Sequence, residues 1–350
     1  MPTQATGWAA QSATDPLAPF EFERRDCRPN DVAIKISHCG ICHSDLHFAR
    51  NDWGGSRYPL VPGHEIVGTV TAVGDDVGKY RVGDKVAVGC LVDSCRECAA
   101  CKAGQEQFCA RGSTATFSGI DRVDGSLTQG GYSDHIVVRE EFVCSIPDSL
   151  DIAKAAPLLC AGITTYSPLK KFGVGQGSKV GVAGLGGLGH MGVKIARAMG
   201  AHVTMITTSP DKGKDARELG ADDVLLSTDR GAMTAAAGKF DFILDTIPVA
   251  HGIDPYLALL ARNGALVMVG AIEPLPSIHG RSLIMGNKTL AGSLIGGLSE
   301  TQEMIDFCAE HGILPEVETI AMSEVNTAYE RLLKNDVRYR FVIDMARGMS

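Results

Sequence analysis

Four cysteines stand close together in one short stretch of the sequence, which is the pattern of a metal site. Cys95, Cys98 and Cys101 are separated by two residues each, and Cys109 follows after seven more. Zinc is held tetrahedrally by four thiolates, and a site whose four positions are all filled by protein is structural. The first three cysteines also resemble an iron–sulfur run, but that run needs its fourth cysteine sooner and then a proline. The spacing therefore predicts a structural zinc ion.

A second set of possible metal ligands is dispersed along the chain. It comprises Cys42 amid polar residues, the pair His64 and Glu65 after a Pro-Gly turn, and Cys160. Each has a simpler interpretation, because a single histidine or cysteine is more often a packed residue than a ligand. No spacing rule connects side chains this far apart, so the residues alone leave their association open.

A glycine-rich segment has the composition of a dinucleotide-binding loop. The apolar run Lys179–Ala183 leads into a Gly-x-Gly-x-x-Gly sequence and then a helical stretch. The first glycine allows a tight turn, the second lets backbone amides approach a pyrophosphate, and the third lets the helix pack on the strand. The helix N-terminus adds partial positive charge toward the phosphates. The predicted cofactor-binding residues of this loop are Gly184, Leu185, Gly186, Gly187, Leu188 and Gly189.

The end of the next predicted strand indicates which dinucleotide binds. An NAD site has an acidic residue there, which holds the ribose 2′-hydroxyl. This chain instead has Thr207, Thr208 and Ser209, with Lys212 shortly afterwards. Hydroxyl groups and a cation suit a 2′-phosphate, whereas a carboxylate would repel it. Asp211 lies beyond the strand end, where it could cap the next helix, and the sequence predicts NADP(H).

These motifs fall in two stretches of different texture. From Val32 to Val143, short apolar runs are broken by glycine and proline, which indicates an irregular, mostly β domain. Strand candidates then alternate with helical stretches, which indicates a parallel sheet with helices on both faces. The last helices and strand differ again, and we expect them to return to the first domain. We predict an α/β protein, in which residues 1–157 and 295–350 form one domain and 158–294 the doubly wound nucleotide-binding domain.

Composition and charge exclude several functional classes. The 350 residues carry a net charge of −8 and no basic run, so nucleic acids and anionic membranes are not expected partners. No apolar run approaches the roughly 20 residues of a membrane span, and the N-terminus lacks the features of a signal peptide. Eleven cysteines, clustered as metal sites and not as disulfides, indicate a reducing compartment. The cytoplasm is the expected location.

Together, the motifs resemble those of the zinc-containing medium-chain alcohol dehydrogenases, and within them the cinnamyl alcohol dehydrogenase-like group. The resemblance covers nearly the whole chain. It rests on Gly40–His47, Pro62–Glu65, the four-cysteine stretch, Cys160–Ser167 and Gly184–His190. The tail Gly292–Gly297, followed by Glu300–Met304, looks most like the bacterial broad-range NADPH-dependent aldehyde reductases of that group.

The resemblance implies a GroES-like, β-rich catalytic domain, a Rossmann domain and two zinc ions per chain. It assigns the catalytic zinc to Cys42, His64 and Cys160. Glu65 would be an alternating ligand or a nearby charge, and Asp45 would orient the histidine. The zinc would polarise a carbonyl oxygen as a Lewis acid, and NADPH would supply the hydride.

The same resemblance implies further site residues. Ser44 and His47 match the proton relay of the family, and Ser44 would also lie next to the cofactor. Trp53 and Phe117 would either wall the substrate pocket or simply pack. The residues expected near the nicotinamide half of the cofactor are Thr164, Thr246, Gly270, Ser293, Leu294 and Ile295.

The expected activity is the reversible reduction of aldehydes to primary alcohols, broad in range and including aromatic aldehydes. Plant lignin-type relatives carry a tryptophan after the four-cysteine stretch, and Arg111–Phe117 here contains none, which argues against a dedicated monolignol role. Two alternatives stay open: a polyol or amino-alcohol dehydrogenase, and a non-catalytic binding relative. A homodimer is expected by analogy. Histidines outside the motifs, such as His202 and His251, are expected to have no catalytic role.

Overall fold

The computed structural model describes residues 3–270 and 273–348. Two compact units make up the chain. One contains the residues up to Cys160 and those from Gly296 onward, and the other contains Ala161–Ile295. The first unit is rich in β-strands, and the second alternates strands with helices. This architecture confirms the predicted α/β fold class.

Strands and helices follow one another through the described residues. The strands are β1 (Thr3–Ala9), β2 (Ala18–Arg24), β3 (Asp31–Ile41), β4 (Ile66–Val73), β5 (Lys85–Val88), β6 (Leu91–Asp93), β7 (Thr114–Ala115), β8 (His135–Arg139), β9 (Cys144–Ser145), β10 (Lys179–Ala183), β11 (His202–Thr207), β12 (Asp223–Leu226), β13 (Phe240–Asp245), β14 (Leu260–Met268), β15 (Thr289–Gly292), β16 (Val317–Ile320) and β17 (Arg340–Asp344). The α-helices are α1 (His43–Ala49), α2 (Ala99–Lys102), α3 (Ile152–Ala155), α4 (Ala161–Lys171), α5 (Gly189–Ala198), α6 (Pro210–Glu218), α7 (Arg230–Ala235), α8 (Asp254–Leu259), α9 (Gly280–Ile284), α10 (Leu298–Glu310) and α11 (Val325–Leu333). Short 3₁₀ helices lie at Glu106–Phe108, Glu140–Phe142, Ala156–Leu159, Met322–Glu324 and Met345–Arg347.

The first unit is built on a mixed sheet around β3, its longest strand. β3 pairs antiparallel with β4, β8 and β17, while β5 and β9 extend the sheet beyond β4, and β16 runs parallel to β17. Val32, Ile34 and Ile36 are all buried, which is the two-residue period of a strand with one face in the core. Each buried aliphatic side chain of this kind contributes about 1.5–3 kcal/mol. The position of β3 is therefore firmly held, and so is the segment that follows it.

The second unit contains a parallel sheet. Within the described residues its strand order is β12-β11-β10-β13-β14-β15, and every pairing is parallel. Residues 180–183 of β10 are all buried, as expected of a strand covered on both faces. The direction of winding reverses between β10 and β13, and open α/β sheets bind ligands beside the carboxyl ends of the strands at such a reversal.

The structure contains elements that the sequence does not predict, and it settles how one predicted helix begins. β15 is not predicted from the sequence, because Thr-Leu-Ala-Gly is short and poor in residues that favour strands. Helix α6 is capped by Ser209, whose Oγ accepts a hydrogen bond from the N–H of Lys212 at 3.4 Å. Asp211, considered for this role, instead forms an exposed ion pair within the helix. Of the helices described, none is both long enough and apolar enough to cross a bilayer.

Candidate active site and metal centres

The four cysteines predicted to hold a structural zinc surround one point. Their sulfur atoms all lie within 4.8 Å of one another. The sulfur of Cys101 is 3.9 Å from that of Cys95 and 3.5 Å from that of Cys98. Two thiolates bound tetrahedrally at 2.3 Å from zinc would be about 3.8 Å apart. Both the donor atoms and their spacing therefore fit a zinc ion.

Hydrogen-bond donors face these sulfur atoms. The backbone N–H of Ala110 donates to Cys98 Sγ at 3.4 Å. The N–H groups of Cys101 and Ala110 lower the pKa of Cys98 to about 6, which favours the thiolate that binds metal. A cation is also close, since Nη2 of Arg122 lies 3.9 Å from Cys109 Sγ. These surroundings thus favour negative charge on the sulfur atoms of Cys98 and Cys109, whereas burial raises the pKa of Cys101 to about 11.

The dispersed set of possible ligands is brought together by the pairing of β3 with β4. Cys42 follows the end of β3, and His64 and Glu65 immediately precede β4. Because the strands are antiparallel, with Cys39 opposite Ile66, the end of one and the start of the other meet at the same edge of the sheet. Cys160 reaches this edge at the end of a 3₁₀ helix that contacts β3.

The ligand atoms of Cys42, His64, Glu65 and Cys160 lie within 4.8 Å of one another, and all four side chains are buried. The two sulfur atoms are 3.9 Å apart, close to the separation of about 3.8 Å in a tetrahedral zinc site. Two thiolates and an imidazole form a donor set that zinc prefers, and three protein ligands leave a position for a further group. The arrangement fits a catalytic zinc with a carboxylate beside it.

Asp45 connects two of the segments that carry these ligands. Its fully buried carboxylate accepts hydrogen bonds from the backbone N–H of Cys42 at 2.8 Å and of Gly63 at 2.9 Å. It also lies 2.9 Å from Nδ1 of His64, which donates a hydrogen bond to it. The other ring nitrogen, Nε2, is therefore the atom that would bind a metal ion. Burial lowers the pKa of His64, but the Asp45 carboxylate together with Cys90 and Cys42 outweighs burial and raises that pKa well above its ordinary value.

Arg340 is a buried cation beside the same set, and the sequence does not predict its position there. It begins β17, which pairs antiparallel with β3, so that the start of β17 lies opposite the end of β3 at the same edge of the sheet. Its Nη1 lies 3.3 Å from Glu65 Oε1. Burial raises the pKa of Glu65 to about 7, although Arg340 opposes this effect. A hydrogen bond from Cys160 lowers the pKa of Cys42 well below its ordinary value, and the Arg340 cation lowers it further.

Ser44 and His47, the predicted relay residues, lie one turn apart on α1. Ser44 Oγ is 3.7 Å from Cys42 Sγ, and the His47 side chain is 31% exposed. His47 Nδ1 lies 2.8 Å from Asp52 Oδ2. Asp52 is not predicted from the sequence, because an aspartate in the turn after a helix is common for conformational reasons alone. Ser44 thus lies beside Cys42, and His47 and Asp52 form a pair nearer the protein surface.

Aromatic rings line this side of the first unit. The ring centroid of Phe117 lies 5.8 Å from that of His64 and 5.3 Å from that of Phe48. Trp53 lies 4.9 Å from His47 and 5.4 Å from Phe48. Phe117 is buried, whereas Trp53 is 41% exposed. Trp53, Phe48 and Phe117, hereafter the aromatic wall, thus extend from the imidazole of His64 toward the surface.

Most predicted cofactor residues gather at the carboxyl edge of the parallel sheet. The Gly184–Gly189 loop joins β10 to α5, and Gly184 has a φ of +90°. A Cβ on Gly189 would come within 1.9 Å of the carbonyl oxygen of Gly184, so only glycine fits there. The hydroxyl of Thr246 donates to the carbonyl oxygen of Ala183 at 2.9 Å, and a Cβ on Gly270 would meet Thr246.

The other predicted cofactor residues lie in three places. Thr207 ends β11, and its Oγ1 accepts a hydrogen bond from the N–H of Ser209 at 3.2 Å. The neighbouring Thr208 is exposed, and Lys212 lies in the first turn of α6. Ser293, Leu294 and Ile295 follow β15, also at the carboxyl edge. Thr164 lies on α4 and is buried.

Comparison with known proteins shows the family. The model of the alcohol dehydrogenase GroES-like domain matches residues 28–148, and that of the zinc-binding dehydrogenases matches residues 187–310. The chain is 52% identical over 337 residues to aldehyde reductase YahK of Escherichia coli (strain K12), with 96% of each chain covered. The chain belongs to the zinc-binding alcohol dehydrogenases. The members of this family are zinc-binding enzymes that oxidise alcohols or reduce aldehydes, and this dehydrogenase is an enzyme of that class.

Two further comparisons refine the position of this dehydrogenase. It is 52% identical over 350 residues to mannitol dehydrogenase of Apium graveolens, covering 99% of this chain and 95% of that protein. It also resembles the crystal structure of the cinnamyl alcohol dehydrogenase of Helicobacter pylori complexed with NADP(H), with a TM-score of 0.93 and 44% identity. That match covers 99% of this dehydrogenase and 100% of the other chain. The predicted cinnamyl alcohol dehydrogenase-like group is confirmed.

Proposed function

We propose that this dehydrogenase reduces aldehydes to primary alcohols with NADPH, reversibly and over a broad range that includes aromatic aldehydes. The observation that carries the proposal is the buried cluster of Cys42, His64 and Cys160, spaced for tetrahedral zinc, next to Ser44, which lies one turn from His47 on α1. A binding protein without activity would have no use for a relay beside its metal. Zinc bound there would act as a Lewis acid on the substrate oxygen.

The residues around the cluster have separate tasks. Cys42 and Cys160 would hold zinc as two thiolates, whose negative charges would offset the charge of the dication. His64 supplies a neutral ligand whose orientation Asp45 fixes at 2.9 Å. Arg340, 3.3 Å from Glu65, opposes the effect of burial and favours the charged form of that carboxyl group, which is proposed to serve as an alternating ligand or a nearby charge.

Proton transfer belongs to Ser44 and His47. The hydroxyl of Ser44 gives a proton to the product oxygen during reduction and takes one during oxidation. His47 exchanges that proton with solvent, because imidazole can bind and release a proton near neutral pH. Asp52, 2.8 Å from Nδ1 of His47, accepts a hydrogen bond from that nitrogen and so orients the ring.

The second unit is proposed to hold NADP(H). The Gly184–Gly189 loop receives the pyrophosphate against the N-terminus of α5. Thr207, Thr208, Ser209 and Lys212 receive the 2′-phosphate, and no carboxylate among them repels it. Thr164, Thr246, Gly270 and Ser293–Ile295 are proposed to lie along the nicotinamide half. Support also comes from the NADP(H) complex of the Helicobacter relative.

We propose that the two units divide these tasks. The unit that contains the residues up to Cys160 and those from Gly296 would be the zinc-binding catalytic domain, and Ala161–Ile295 would be the NADP-binding domain.

A homodimer is proposed as well. Among the described strands, β15 pairs with β14 alone, so one of its edges is open. Three exposed apolar residues, Ile284, Met285 and Leu294, lie near β15 in the sequence. We propose that a second copy of the chain covers this open edge and these side chains. Two clusters of reduced cysteines favour a cytoplasmic location.

A panel of substrates with two cofactors tests the proposed function. We expect benzaldehyde and aliphatic aldehydes to be reduced with NADPH at kcat/KM values at least about tenfold above those with NADH. The aromatic wall should favour ring-bearing aldehydes through apolar contact. The name of the Apium relative makes mannitol the relevant second candidate substrate. Oxidation of mannitol, sorbitol or threonine that exceeds alcohol oxidation, or a preference for NADH, would contradict the proposal.

A further inference from the structure

A histidine closes a loop beside the glycine-rich segment of the second unit. The Nε2 atom of His251 lies 2.9 Å from Oδ2 of Asp245, the last residue of β13. The Nδ1 atom of the same ring lies 2.8 Å from the carbonyl oxygen of Val249. Both ring nitrogens therefore face oxygen atoms. The contact between Asp245 and His251 therefore links the first and last residues of this loop.

Asp245 is held from other directions as well. It is almost fully buried, and its Oδ1 accepts a hydrogen bond from the N–H of Ile247 at 3.1 Å. Burial raises the pKa of Asp245, and the contact with His251 opposes that effect. Removing the histidine would leave a buried carboxylate with one partner fewer, which favours rearrangement of the loop.

This loop packs on the glycines that approach the cofactor. The hydroxyl of Thr246 donates to the carbonyl oxygens of Ala183 at 2.9 Å and Gly184 at 3.0 Å. A Cβ on Gly184 would lie 3.0 Å from Thr246 Oγ1, and one on Gly189 would lie 3.2 Å from it. A shift of the loop would therefore move Thr246 against both ends of the glycine-rich segment.

The location gives the contact its meaning. β10 and β13 are adjacent, with Ala183 opposite Asp245, at the point where the winding of the sheet reverses. Ligands of open α/β sheets bind at this point. The imidazole is only 14% exposed and lies edge-on to Tyr256, with ring centroids 5.6 Å apart. Its position is thus defined on three sides.

We propose that His251 is a positioning residue for the dinucleotide: through Asp245 it fixes the loop that carries Thr246 and thereby the glycine-rich segment that receives the pyrophosphate. The inference rests on the proposed use of NADP(H). His251 itself is not assigned any contact with the cofactor. Its effect is on the geometry of the groups that do make contact.

The chain offers a matched control. His202 also pairs with an aspartate, its Nε2 lying 3.0 Å from Asp223 Oδ2. This pair stands at the amino ends of β11 and β12, the opposite edge of the same sheet. His202→Leu therefore removes a histidine–aspartate contact from the same unit without approaching the glycine-rich segment.

The experiment compares His251→Leu, His251→Gln and His202→Leu in the zinc-loaded protein. The dissociation constant for NADPH is measured from the fluorescence of the bound nucleotide. We expect His251→Leu to bind NADPH about tenfold more weakly, and His251→Gln, which keeps one donor to Asp245, to lose about threefold. His202→Leu should match the wild type. In steady state, the KM for NADPH should rise in the same proportion, while kcat at saturating NADPH and the KM for aldehyde change less than about twofold.

Three results would overturn the inference, and a fourth would contradict the proposed function instead. Wild-type NADPH affinity in both His251 variants overturns the inference, and so does an equal loss in His202→Leu. Failure of both His251 variants to fold also overturns it, because the contact would then serve stability alone. Absence of NADPH binding by the wild type contradicts the proposed function and not the role of the loop, which a parallel titration with NADH would then measure.

Discussion

The two cysteine clusters of the first unit use similar ligands but are built in different ways. The four-cysteine cluster comes from one continuous stretch, and its sulfur atoms are surrounded by backbone N–H groups of that stretch. The cluster of Cys42, His64 and Cys160 comes from three parts of the chain and depends on the register of β3 and β4. The first cluster therefore organises its own loop, whereas the second is organised by a sheet.

Their charges differ accordingly. Four thiolates around zinc carry a net negative charge and fill every position, which suits a structural role. Two thiolates and an imidazole leave a position open, and buried Asp45, Glu65 and Arg340 adjust the charge around it. We infer that the first cluster contributes to stability and the second to turnover, and the following substitutions test this difference.

The largest effect is expected for Cys42→Ala. Loss of one catalytic ligand should lower kcat by more than about 10³-fold, because several kcal/mol of Lewis-acid stabilisation disappear. Zinc content, measured by elemental analysis, should fall by one ion per chain. Cys308→Ala is the control, because this buried thiol contacts only Met304 among the hydrogen-bond partners described and should retain wild-type kcat. A Cys42→Ala enzyme within tenfold of the wild type would refute the assignment.

A smaller effect, on stability, is expected for Cys98→Ser. Weakening the four-cysteine cluster should lower the free energy of unfolding by about 3 kcal/mol or more, since structural zinc binding is coupled to folding. Denaturant titration measures this change, and kcat per remaining zinc should stay within about threefold. Cys27→Ser, at an exposed thiol outside both clusters, should leave the midpoint unchanged. Loss of turnover without loss of stability would reverse the roles inferred for the two clusters.

The smallest effect is expected for Arg122→Gln. The guanidinium lies 3.9 Å from Cys109 Sγ, where its charge favours the thiolate. Removing that charge should speed zinc release to a chromogenic chelator from the four-cysteine cluster by about twofold to fivefold, because a partly exposed cation contributes little. Arg111→Gln, whose side chain is 66% exposed and pairs with Glu97, should release zinc at the wild-type rate. Equal rates of zinc release from the wild type, Arg122→Gln and Arg111→Gln would show that the backbone N–H groups alone stabilise the thiolates.

The sequence predicts those parts of the molecule whose determinants are local. The α/β class follows from the alternation of strands and helices. The glycine-rich loop lies between β10 and α5 as its strand and helix signals indicate, and Cys95–Cys109 gather as their spacing predicts. Ser209, not Asp211, caps α6, because a serine before a proline at the first helical position is the better cap.

Other features depend on contacts that no spacing reveals. Association of His64 with Cys160 follows from sheet register, and before the structure only resemblance to a family suggests it. Arg340 reaches the cluster because β17 returns to pair with β3. Asp52 and His251 look like ordinary turn and loop residues until their partners are seen. Such pairings arise from tertiary structure, so composition and periodicity carry no trace of them.

Asp45 has a consequence for how the enzyme acquires its metal. One carboxylate holds the backbone of Cys42, the backbone of Gly63 and the ring of His64, so two of the three ligands are in position as soon as the sheet has formed. The entropy of ordering them is lost during folding and not during ion capture, which leaves more of the binding free energy for affinity. In a cell that is short of zinc, folded chains would accumulate and compete for each ion as it becomes available.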